Sequence, residues 1–482
     1  MSAILVASNR GPVSFSLSEG GDLTMRRGGG GLVSGLASVA ADTDFLWVCA
    51  ALSEADRDAA AQAPGGRLDR AGHGTGPVRM LDIPAATFHR AYNAVANSTL
   101  WFVNHLLYDT PNSPNFGMRF RREWESYRAY NRAFAEALAK DAAADARVLV
   151  QDYHLTLVPG MLRAVRPGLR VAHFSHTPWA PPEYFSLLPD DVSAEILTGI
   201  LGADHAGFLT ARWAGAFMDC CEALLGAEVD RASRTVTHEG RTTRIGVHSL
   251  GVDGEAMRAR AREADVEAHL RALRDKVGDR RLIVRIDRTE LSKNIVRGLL
   301  AYQEFLTAHP EWHGRVVHVA FAYPSRHDLP EYREYTAAVQ RCAKEIEDEF
   351  ATEDWDPLIL NVHDDYPRSL AAYRLADVLL VNPIRDGMNL VAKEGPVLSE
   401  RGCALVLSRE AGAADELARD SLLVNPYDVS GTAEALHAAL AMPAEEREFR
   451  CRKLAVAATA LPPRRWFADQ LAALDALSPL PR

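Results

Sequence analysis

A polar turn joins a short apolar run to a predicted helix in the second half of the chain. The apolar run is 377–382, and the stretch 386–394 that follows it has a carboxylate at each end, Asp386 and Glu394. In open α/β sheets, ligands bind at the carboxyl ends of strands, and the amide groups of a helix start suit phosphate or sugar oxygens. Asp386 can accept hydrogen bonds from sugar hydroxyls, and Glu394 can accept them from a ribose diol. The stretch therefore favours a nucleotide-sugar site, with an ordinary strand-to-helix turn and a solvated aspartate as the alternative.

Three basic side chains follow two other predicted strands. Arg288 and Lys293 come after one apolar run, and Arg326 comes after the next. Two cations behind a strand can neutralise a diphosphate, and they hold it more tightly as its charge grows during departure. A guanidinium can bind a phosphate monoester through paired hydrogen bonds. The alternatives are a solvated basic turn for the first two residues and a surface pair with Asp328 for the third.

Polar side chains also follow three predicted strands in the first half of the chain. Arg10 follows the first, Asp152 follows the second and His176 follows the third. Two strand ends that both combine histidine with polar neighbours favour ligand contact over a structural histidine. Four consecutive glycines at 28–31 permit close approach of backbone N–H groups to an anion, with a flexible surface loop as the alternative. Their position before a predicted helix at 32–40 favours the anion interpretation.

Length and composition limit the class of protein. The chain has 482 residues, a formal net charge of −10 and a pI of about 5.9, so we expect two to three domains and no general nucleic-acid surface. We expect neither a signal peptide nor a membrane span. The six cysteines lack CxxC spacing, and the 16 histidines include no HExxH pair. These patterns favour reduced core cysteines in a cytoplasmic protein, with no metal and no cofactor.

Short apolar runs alternate with longer amphipathic ones, which is the pattern of parallel β/α units. Predicted strands of the first half are 4–8, 45–50, 148–151, 171–175 and 206–209. Predicted strands of the second half are 282–286, 316–321, 358–362, 378–381, 404–408 and 422–425. We therefore predict an α/β fold with two doubly wound domains, residues 1–250 and 251–465, and a C-terminal helix within 466–482 that can cross back to the first domain.

The ordered set of motifs resembles the retaining trehalose-6-phosphate synthases over nearly the whole chain. The most specific stretch is 386–394, Asp-Gly-Met-Asn-Leu-Val-Ala-Lys-Glu. The other matching residues are Ser8-Asn9-Arg10, Gly30-Gly31-Leu32, Tyr92, Leu100-Trp101, Asp152-Tyr153-His154-Leu155, His176, Pro178, Arg288, Ser292-Lys293, Ser325-Arg326, Ala411-Gly412-Ala413-Ala414 and Glu416-Leu417. The resemblance implies two Rossmann-like domains that face each other across a cleft, the GT-B arrangement.

The resemblance also implies a role for each matching residue. The donor side would be Gly31 for a phosphate, Arg288 and Lys293 for the diphosphate, Asp386, Gly387, Met388 and Asn389 for the glucose hydroxyls, Leu390 and Val391 for phosphate oxygens, Glu394 for the ribose, and His176 near O6. The acceptor side would be Arg10, Tyr92, Trp101 and Arg326 for the phosphate of glucose 6-phosphate, with Asp152 for its hydroxyls. Because no carboxylate in these motifs is an obvious nucleophile, we expect front-face substitution in which the two cations hold the leaving phosphate.

Two departures from the family pattern bear on the donor. The family sequence Arg-Leu-Asp-Tyr-Ser/Thr-Lys-Gly is replaced at 288–294 by Arg-Thr-Glu-Leu-Ser-Lys-Asn, which keeps the spacing of the two cations. Asp364 stands where uridine-nucleotide members have an apolar residue near the base. A carboxylate can accept from N1–H and N2–H2 of guanine, whereas a dry unpaired carboxylate beside uracil is costly. We therefore predict GDP-glucose as the donor, with a solvent-facing Asp364 and UDP- or ADP-glucose as the alternative.

Three functions fit the motifs. The first is a glucosyltransferase that forms α,α-trehalose 6-phosphate from a nucleoside-diphosphate glucose and glucose 6-phosphate. The second is a pseudo-glycosyltransferase similar to validoxylamine 7'-phosphate synthase, which couples cyclitol units, and the third is a non-catalytic sugar-phosphate sensor. The chain keeps the Asp-Gly-Met-Asn stretch and the acceptor-side residues, from which the second group departs more, so the first is favoured over the second. The presence of Arg288, Lys293 and Asp386 favours the first over the third. The expected partners are these small-molecule substrates, without nucleic acid or membrane, and a homo-oligomer is compatible with the sequence.

Overall fold

The structure, a computed structural model, describes residues 1–18, 22–27, 45–68, 77–326 and 328–476. The chain divides into two compact units, an N-terminal unit of Met1–Ser249 with Pro463–Arg482 and a C-terminal unit of Leu250–Pro462. Each unit contains a mainly parallel sheet with helices packed against it, which confirms the predicted α/β class. Every helix among the described residues is too short or too polar to cross a membrane.

The sheet of the N-terminal unit is parallel at its centre and antiparallel at its edges. Its described strands are β1 (Ser2–Ala7), β2 (Val13–Leu17), β3 (Leu23–Arg27), β4 (Leu46–Ala50), β5 (Arg67–Leu68), β6 (Val78–Leu81), β7 (Ala142–Gln151), β8 (Arg170–Ser175), β9 (His205–Phe208), β10 (Glu228–Asp230), β11 (Thr235–His238) and β12 (Arg241–Val247). They are ordered β10-β11-β12-β9-β8-β7-β1-β4-β6-β5, and β2 pairs separately with β3. Leu5, Val6 and Ala7 are fully buried, so β1 is covered on both faces, which explains its continuous apolar run.

Helices of this unit connect the strands and cover the sheet. They are Glu54–Gln62, Ala85–His89, Trp101–Asn104, Met118–Asp141, Val158–Val165, Pro182–Phe185, Asp190–Leu201, Ala211–Leu225 and Pro463–Asp475, with a π-helical segment at Arg90–Leu100 and a single helical turn at Tyr153–Leu155. The last helix packs on the sheet, where the ring of Trp466 meets the edge of Phe174 with 5.1 Å between centroids. That helix begins at Pro463, earlier than the predicted segment 466–482.

The C-terminal unit has one fully parallel sheet. Its strands are β13 (Arg281–Arg288), β14 (Val316–Tyr323), β15 (Leu358–Asn361), β16 (Val378–Val381), β17 (Ala404–Ser408) and β18 (Leu422–Val424). The order β15-β14-β13-β16-β17-β18 reverses direction between β13 and β16, and such a switch point is where open α/β sheets bind ligands. The helices are Gly254–Arg260, Ala264–Val277, Ile295–Ala308, Pro330–Phe350, Tyr366–Leu375, Val391–Leu398, Ala414–Leu417, Val429–Ala441 and Ala444–Thr459.

Several differences separate the predicted elements from the observed ones, and β2, β3, β5 and β6 are among the strands that were not predicted. The charged, arginine- and glutamate-rich stretch 254–276 has the composition of one helical segment but forms two helices, because the chain breaks at 261–263 after Gly254–Arg260 and resumes at Ala264–Val277. Strands β10 and β11 escape prediction because they are short and polar and contain no apolar run. The predicted helix at 32–40 and the glycine run with Gly31 lie outside the described residues.

Candidate functional site

Arg288 is the last residue of β13, and its side chain pairs with a carboxylate that the sequence did not single out. Arg288 Nη1 lies 3.0 Å from Glu290 Oε1, and the two side chains are 54% and 0% exposed. Burial alone raises the pKa of Glu290, but the charges of Arg288, Arg326 and Lys293 outweigh it and lower that pKa to about 2. Glu290 is therefore ionised at neutral pH. The side chain of Arg288 extends from this buried carboxylate toward solvent.

Arg326, which follows β14, lies beside the same carboxylate. Its Nη1 is 3.9 Å from Glu290 Oε1 and donates a 2.6 Å hydrogen bond to the hydroxyl of Tyr332. Its side chain is only 10% exposed, which disagrees with a solvated surface pair. The backbone is left-handed at this residue, with φ of 48°. The structure thus brings Arg326 together with Arg288, whereas the other four predicted acceptor residues belong to the N-terminal unit.

Lys293 forms an ion pair with Asp386, the first residue of the polar turn. Lys293 Nζ lies 2.6 Å from Asp386 Oδ2, and the same oxygen accepts from Asn389 Nδ2 at 3.2 Å. Burial lowers the pKa of Lys293, but Asp386 and other nearby carboxylates outweigh it, so the net shift is upward. The lysine is therefore charged. These contacts bring together two residues that the sequence predicted from strands far apart in the chain.

Backbone hydrogen bonds fix the polar turn that carries Asp386. The Asp386 N–H donates to Glu410 O at 3.2 Å, and the Ala413 N–H donates to Met388 O at 2.7 Å. Asn389 is left-handed, with φ of 74°, and its Oδ1 accepts from the Ala392 N–H at 3.3 Å. This conformation turns the chain into the helix Val391–Leu398, whose first N–H groups have no acceptor within the helix. The turn also contains Gly387 and Leu390, so all the predicted backbone donors except Gly31 lie at one helix start.

The helix Val391–Leu398 presents Glu394 and is anchored by a buried lysine. Glu394 Oε2 accepts from the hydroxyl of Tyr373 at 2.9 Å, and burial raises the pKa of this carboxyl. Lys393 is fully buried, and its Nζ lies 2.9 Å from Glu416 Oε2 and donates to Leu250 O at 2.8 Å. Lys393 thus fixes the helix internally while Glu394, one residue on, is only half-buried.

Asp364 lies at the end of β15, where it is exposed. Its neighbour Asp365 has a structural role, because its side chain accepts from the Arg368 N–H at 3.0 Å and caps the helix Tyr366–Leu375. Capping of this helix start therefore does not require Asp364, whose carboxylate faces outward at the end of the strand.

In the N-terminal unit the ends of β7 and β8 bring Asp152 and His176 together. Asp152 is left-handed, with φ of 75°, and its Oδ1 accepts from the His176 N–H at 3.1 Å. His176 Nε2 lies 3.0 Å from Gln151 Oε1. Because an amide oxygen only accepts, this contact assigns the proton to Nε2 and leaves Nδ1 as an acceptor. Burial, and then the neighbouring His173, lower the pKa of His176 to about 3, so the ring is neutral.

A row of aromatic rings extends from this pair. Tyr92 stacks on His154 with 5.6 Å between centroids, Tyr153 lies beside His154 at 4.0 Å, and Trp101 lies beside Tyr153 at 5.7 Å. The row joins two predicted acceptor residues, Tyr92 and Trp101, through the helical turn that follows β7. Arg10 is exposed after β1.

Sequence reasoning missed Glu290, Lys393 and Tyr373. Glu290 lies between two predicted cations in the chain, and that position is a signal for a counter-ion. Lys393 belongs to the recognised stretch, but its partners Leu250 and Glu416 are remote in sequence. The hydroxyl of Tyr373 comes from a different helix than Glu394, and no local pattern indicates that contact.

Comparison with known proteins gives a consistent result. The sequence profile of glycosyltransferase family 20 matches residues 2–476. The trehalose-6-phosphate synthase of Mycobacterium avium is 34% identical over 492 residues, which cover 98% of this chain and 95% of that protein. The chain is also 34% identical to the bifunctional trehalose-6-phosphate synthase/phosphatase of Thermoproteus tenax, of which it spans 60%.

Solved structures resemble the whole chain. An alpha,alpha-trehalose-phosphate synthase (UDP-forming) from Burkholderia xenovorans in complex with glucose-6-phosphate has a TM-score of 0.85 and 26% identity, and covers 98% of this chain and 100% of its own. An E. coli structure described as trehalose-6-phosphate bound with UDP-2-fluoro glucose has a TM-score of 0.86 and 27% identity, and covers 99% of this chain and 100% of its own.

Proposed function

The chain belongs to glycosyltransferase family 20, and we propose that it is a retaining trehalose-6-phosphate synthase that uses GDP-glucose and glucose 6-phosphate. The observation that carries the proposal is the pairing of charged Lys293 with Asp386 at 2.6 Å, at the same sheet edge as Arg288. Cations bind a diphosphate, and a carboxylate accepts from sugar hydroxyls. The same edge of the sheet therefore carries groups that can bind the diphosphate and a group that can bind the sugar.

The donor is assigned to the C-terminal unit. Arg288 and Lys293 bind the diphosphate, and Asp386 accepts from the glucose hydroxyls. The amides of Gly387, Met388 and Asn389 donate to the glucose, those of Leu390 and Val391 donate to phosphate oxygens, and Glu394 accepts from the ribose diol. The half-buried position of Glu394 beside the Tyr373 hydroxyl supports this role. Gly31 is assigned a phosphate contact on the resemblance alone.

The acceptor phosphate is assigned to Arg10, Tyr92, Trp101 and Arg326, and the acceptor hydroxyls to Asp152. The unprotonated Nδ1 of neutral His176 can accept from the hydroxyl at O6 of the donor glucose. A neutral ring at this position adds no charge beside the oxocarbenium-like sugar. It therefore orients the donor without opposing the positive charge that develops during transfer.

Transfer proceeds on the front face of the donor sugar. The bond from the anomeric carbon to the diphosphate oxygen breaks while the acceptor hydroxyl oxygen forms its bond to the same carbon. The hydroxyl proton passes to the departing phosphate, so the products are trehalose 6-phosphate, the nucleoside diphosphate and one proton. Asp386 is a poor nucleophile because its Oδ2 already accepts from Lys293 and Asn389, which supports a mechanism without a covalent intermediate.

The preference for guanine rests on Asp364. Its exposed carboxylate follows β15, and the neighbouring Asp365 already caps the next helix. An ionised carboxylate can accept the paired N1–H and N2–H2 donors of guanine, and uracil has no such pair. Several relatives are named as UDP-forming enzymes, so UDP-glucose is the rival donor.

The test is turnover with GDP-, UDP- and ADP-glucose, each with glucose 6-phosphate. We expect GDP-glucose to be preferred, and Asp364→Ala to lose about tenfold or more of that preference through loss of charge-assisted hydrogen bonds. Asp356→Ala is the matched control, because it removes another exposed aspartate of the same unit. A preference for UDP-glucose, or unchanged selectivity in Asp364→Ala, would refute the guanine assignment. Formation of a coupled product only from a cyclitol pair would refute the synthase assignment.

A further inference from the structure

We propose that Glu290 is a positioning residue that holds Arg288 and Arg326 as a matched pair of phosphate-binding groups. The inference rests on the proposed function, which assigns Arg288 to the donor diphosphate and Arg326 to the acceptor phosphate. One buried carboxylate would then orient the groups that bind both substrates. The family pattern has aspartate at this position, so the longer side chain is a feature of this chain.

One oxygen of Glu290 forms ion pairs with both arginines and accepts a hydrogen bond from Ser325. Arg288 Nη1 is 3.0 Å and Arg326 Nη1 is 3.9 Å from Oε1, and Ser325 Oγ donates to the same atom at 2.9 Å. The side chain of Glu290 is fully buried and that of Arg326 is 10% exposed, so water screens their attraction little, whereas it partly screens the attraction of Arg288, which is 54% exposed. The same carboxylate oxygen therefore attracts both guanidinium groups.

Backbone hydrogen bonds fix Glu290 between the ends of two strands. The Thr289 N–H donates to Tyr323 O at 2.6 Å, which joins the ends of β13 and β14. The Lys293 N–H donates to Glu290 O at 3.0 Å, so the same short turn carries the carboxylate and the lysine. Glu290 cannot shift without moving these backbone contacts, which is the rigidity that a positioning residue requires.

The second oxygen of Glu290 can accept further hydrogen bonds. Oε2 is buried and has no hydrogen-bond partner among the described residues, although a carboxylate oxygen can accept two hydrogen bonds. The carboxylate can therefore keep both arginines when their outer N–H groups turn toward phosphate oxygens. The same negative charge opposes the binding of anions, so Glu290 weakens ground-state affinity while it preserves orientation.

This balance gives Glu290→Gln a signature that a simple loss of structure lacks. The amide keeps the size of the side chain and removes its charge. We expect kcat to fall by about 10- to 100-fold, because misplaced groups cost that much in turnover. We also expect the KM of both substrates to stay level or fall, and GDP and glucose 6-phosphate, titrated separately, to bind several-fold more tightly. Glu290→Asp restores the charge on a shorter side chain and should recover part of kcat.

Asp377→Asn is the matched control, because it also neutralises a buried carboxylate shared by arginines in the same unit. It should lower the melting temperature and leave kcat and both affinities unchanged. The proposal is overturned if Glu290→Gln keeps the wild-type kcat, or if both ligands bind it no more tightly than they bind the wild type. Failure of the proposed function is separate: the wild type would then form no trehalose 6-phosphate, while the titrations of both ligands would still decide the role of Glu290.

Discussion

Two buried carboxylates, each shared by arginines, lie at opposite ends of the same sheet in the C-terminal unit. Asp377 immediately precedes β16 and pairs with Arg281 at 2.8 Å, whereas Glu290 follows β13 and pairs with Arg288 at 3.0 Å. Arg281 and Arg288 are the first and last residues of β13. An arginine–carboxylate ion pair therefore occurs at the amino end and at the carboxyl end of the same strand.

The difference between the two lies in how completely each carboxylate is satisfied. Asp377 accepts from the Leu282 N–H at 2.9 Å as well as from Arg281, and Arg447, 5% exposed, lies 3.6 Å away. Glu290 has one buried oxygen without a hydrogen-bond partner in the part of the chain that the structure describes, and Arg288 is 54% exposed. A saturated cluster contributes to stability, whereas an unsaturated cluster with an exposed cation can exchange partners with a ligand. We therefore expect ion pairs of similar appearance to serve different purposes at the two ends of the strand.

The largest effect that distinguishes the two edges should come from the arginines of β13. Arg288→Ala is expected to lower kcat/KM by about 10²- to 10³-fold, because it removes a charge that stabilises the departing diphosphate. Arg281→Ala removes the same side chain from the other end of the strand and should retain wild-type turnover. Steady-state assays of both variants check this. Equal losses in the two variants would contradict the contrast between the edges.

Asp377→Asn should show the opposite profile. Removing one partner of a buried ion pair leaves its arginines uncompensated, so we expect the free energy of unfolding to fall by about 3 kcal/mol. Turnover per folded molecule should not change. Chemical denaturation measures the first quantity and active-site-normalised kinetics the second. A variant with normal stability and reduced kcat would show that this edge is functional as well.

A third test concerns His318 in β14, the strand that pairs with β13 in the same sheet. Burial, and then the charge of Arg285, lower its pKa to about 3, against about 6.5 for an unfolded histidine. The unfolded state therefore binds a proton first, and the stability gained from the neutral ring is complete above pH 6.5 and is lost as pH falls toward 3. Each pH unit in that window costs about 1.4 kcal/mol.

His318→Phe removes this titration and keeps an aromatic ring beside Tyr302, whose ring centroid is 4.9 Å away. Denaturation curves at pH 7, 6 and 5 should show a shallower decline in the variant, and the difference in slope should approach about 1.4 kcal/mol per pH unit below pH 6. His313→Phe, which replaces an exposed histidine of the same unit, is the control. Parallel pH profiles for the wild type and His318→Phe would contradict the assignment.

The smallest expected effect is the stability change in Arg281→Ala. Its side chain is 42% exposed, so solvent screens its pair with Asp377 and we expect a loss of at most about 1 kcal/mol. The comparison of this value with the larger loss in Asp377→Asn measures how far the cluster depends on its buried member. A loss in Arg281→Ala that equals the loss in Asp377→Asn would assign the whole stabilisation to the exposed pair.

Part of this structure follows from local sequence. The runs 282–286 and 378–381 predict strands because both faces of a parallel sheet are covered and every residue can be apolar. Arg288 and Asp386 are predictable at strand ends because polar residues that interrupt such runs mark the sheet edge.

Contacts between remote residues were not predictable. Glu290 acquires its second arginine from the end of β14, and Lys393 meets Leu250 and Glu416 only after the whole unit has folded. Their importance depends on long-range packing, and a single sequence contains no local signal for it. The register of the antiparallel edge, where polar β10 pairs with β11, is undetermined for the same reason.

Asn389 keeps a side chain where the backbone, at φ of 74°, favours glycine. Asn389→Gly would therefore be an obvious choice for a more heat-stable variant, because glycine adopts this backbone conformation without strain. That change would also remove the amide that donates to Asp386 and accepts from Ala392. Selection for thermal stability would thus favour glycine at this position, whereas selection for sugar transfer would favour asparagine. A lineage that retained asparagine would be one in which selection for transfer was the stronger.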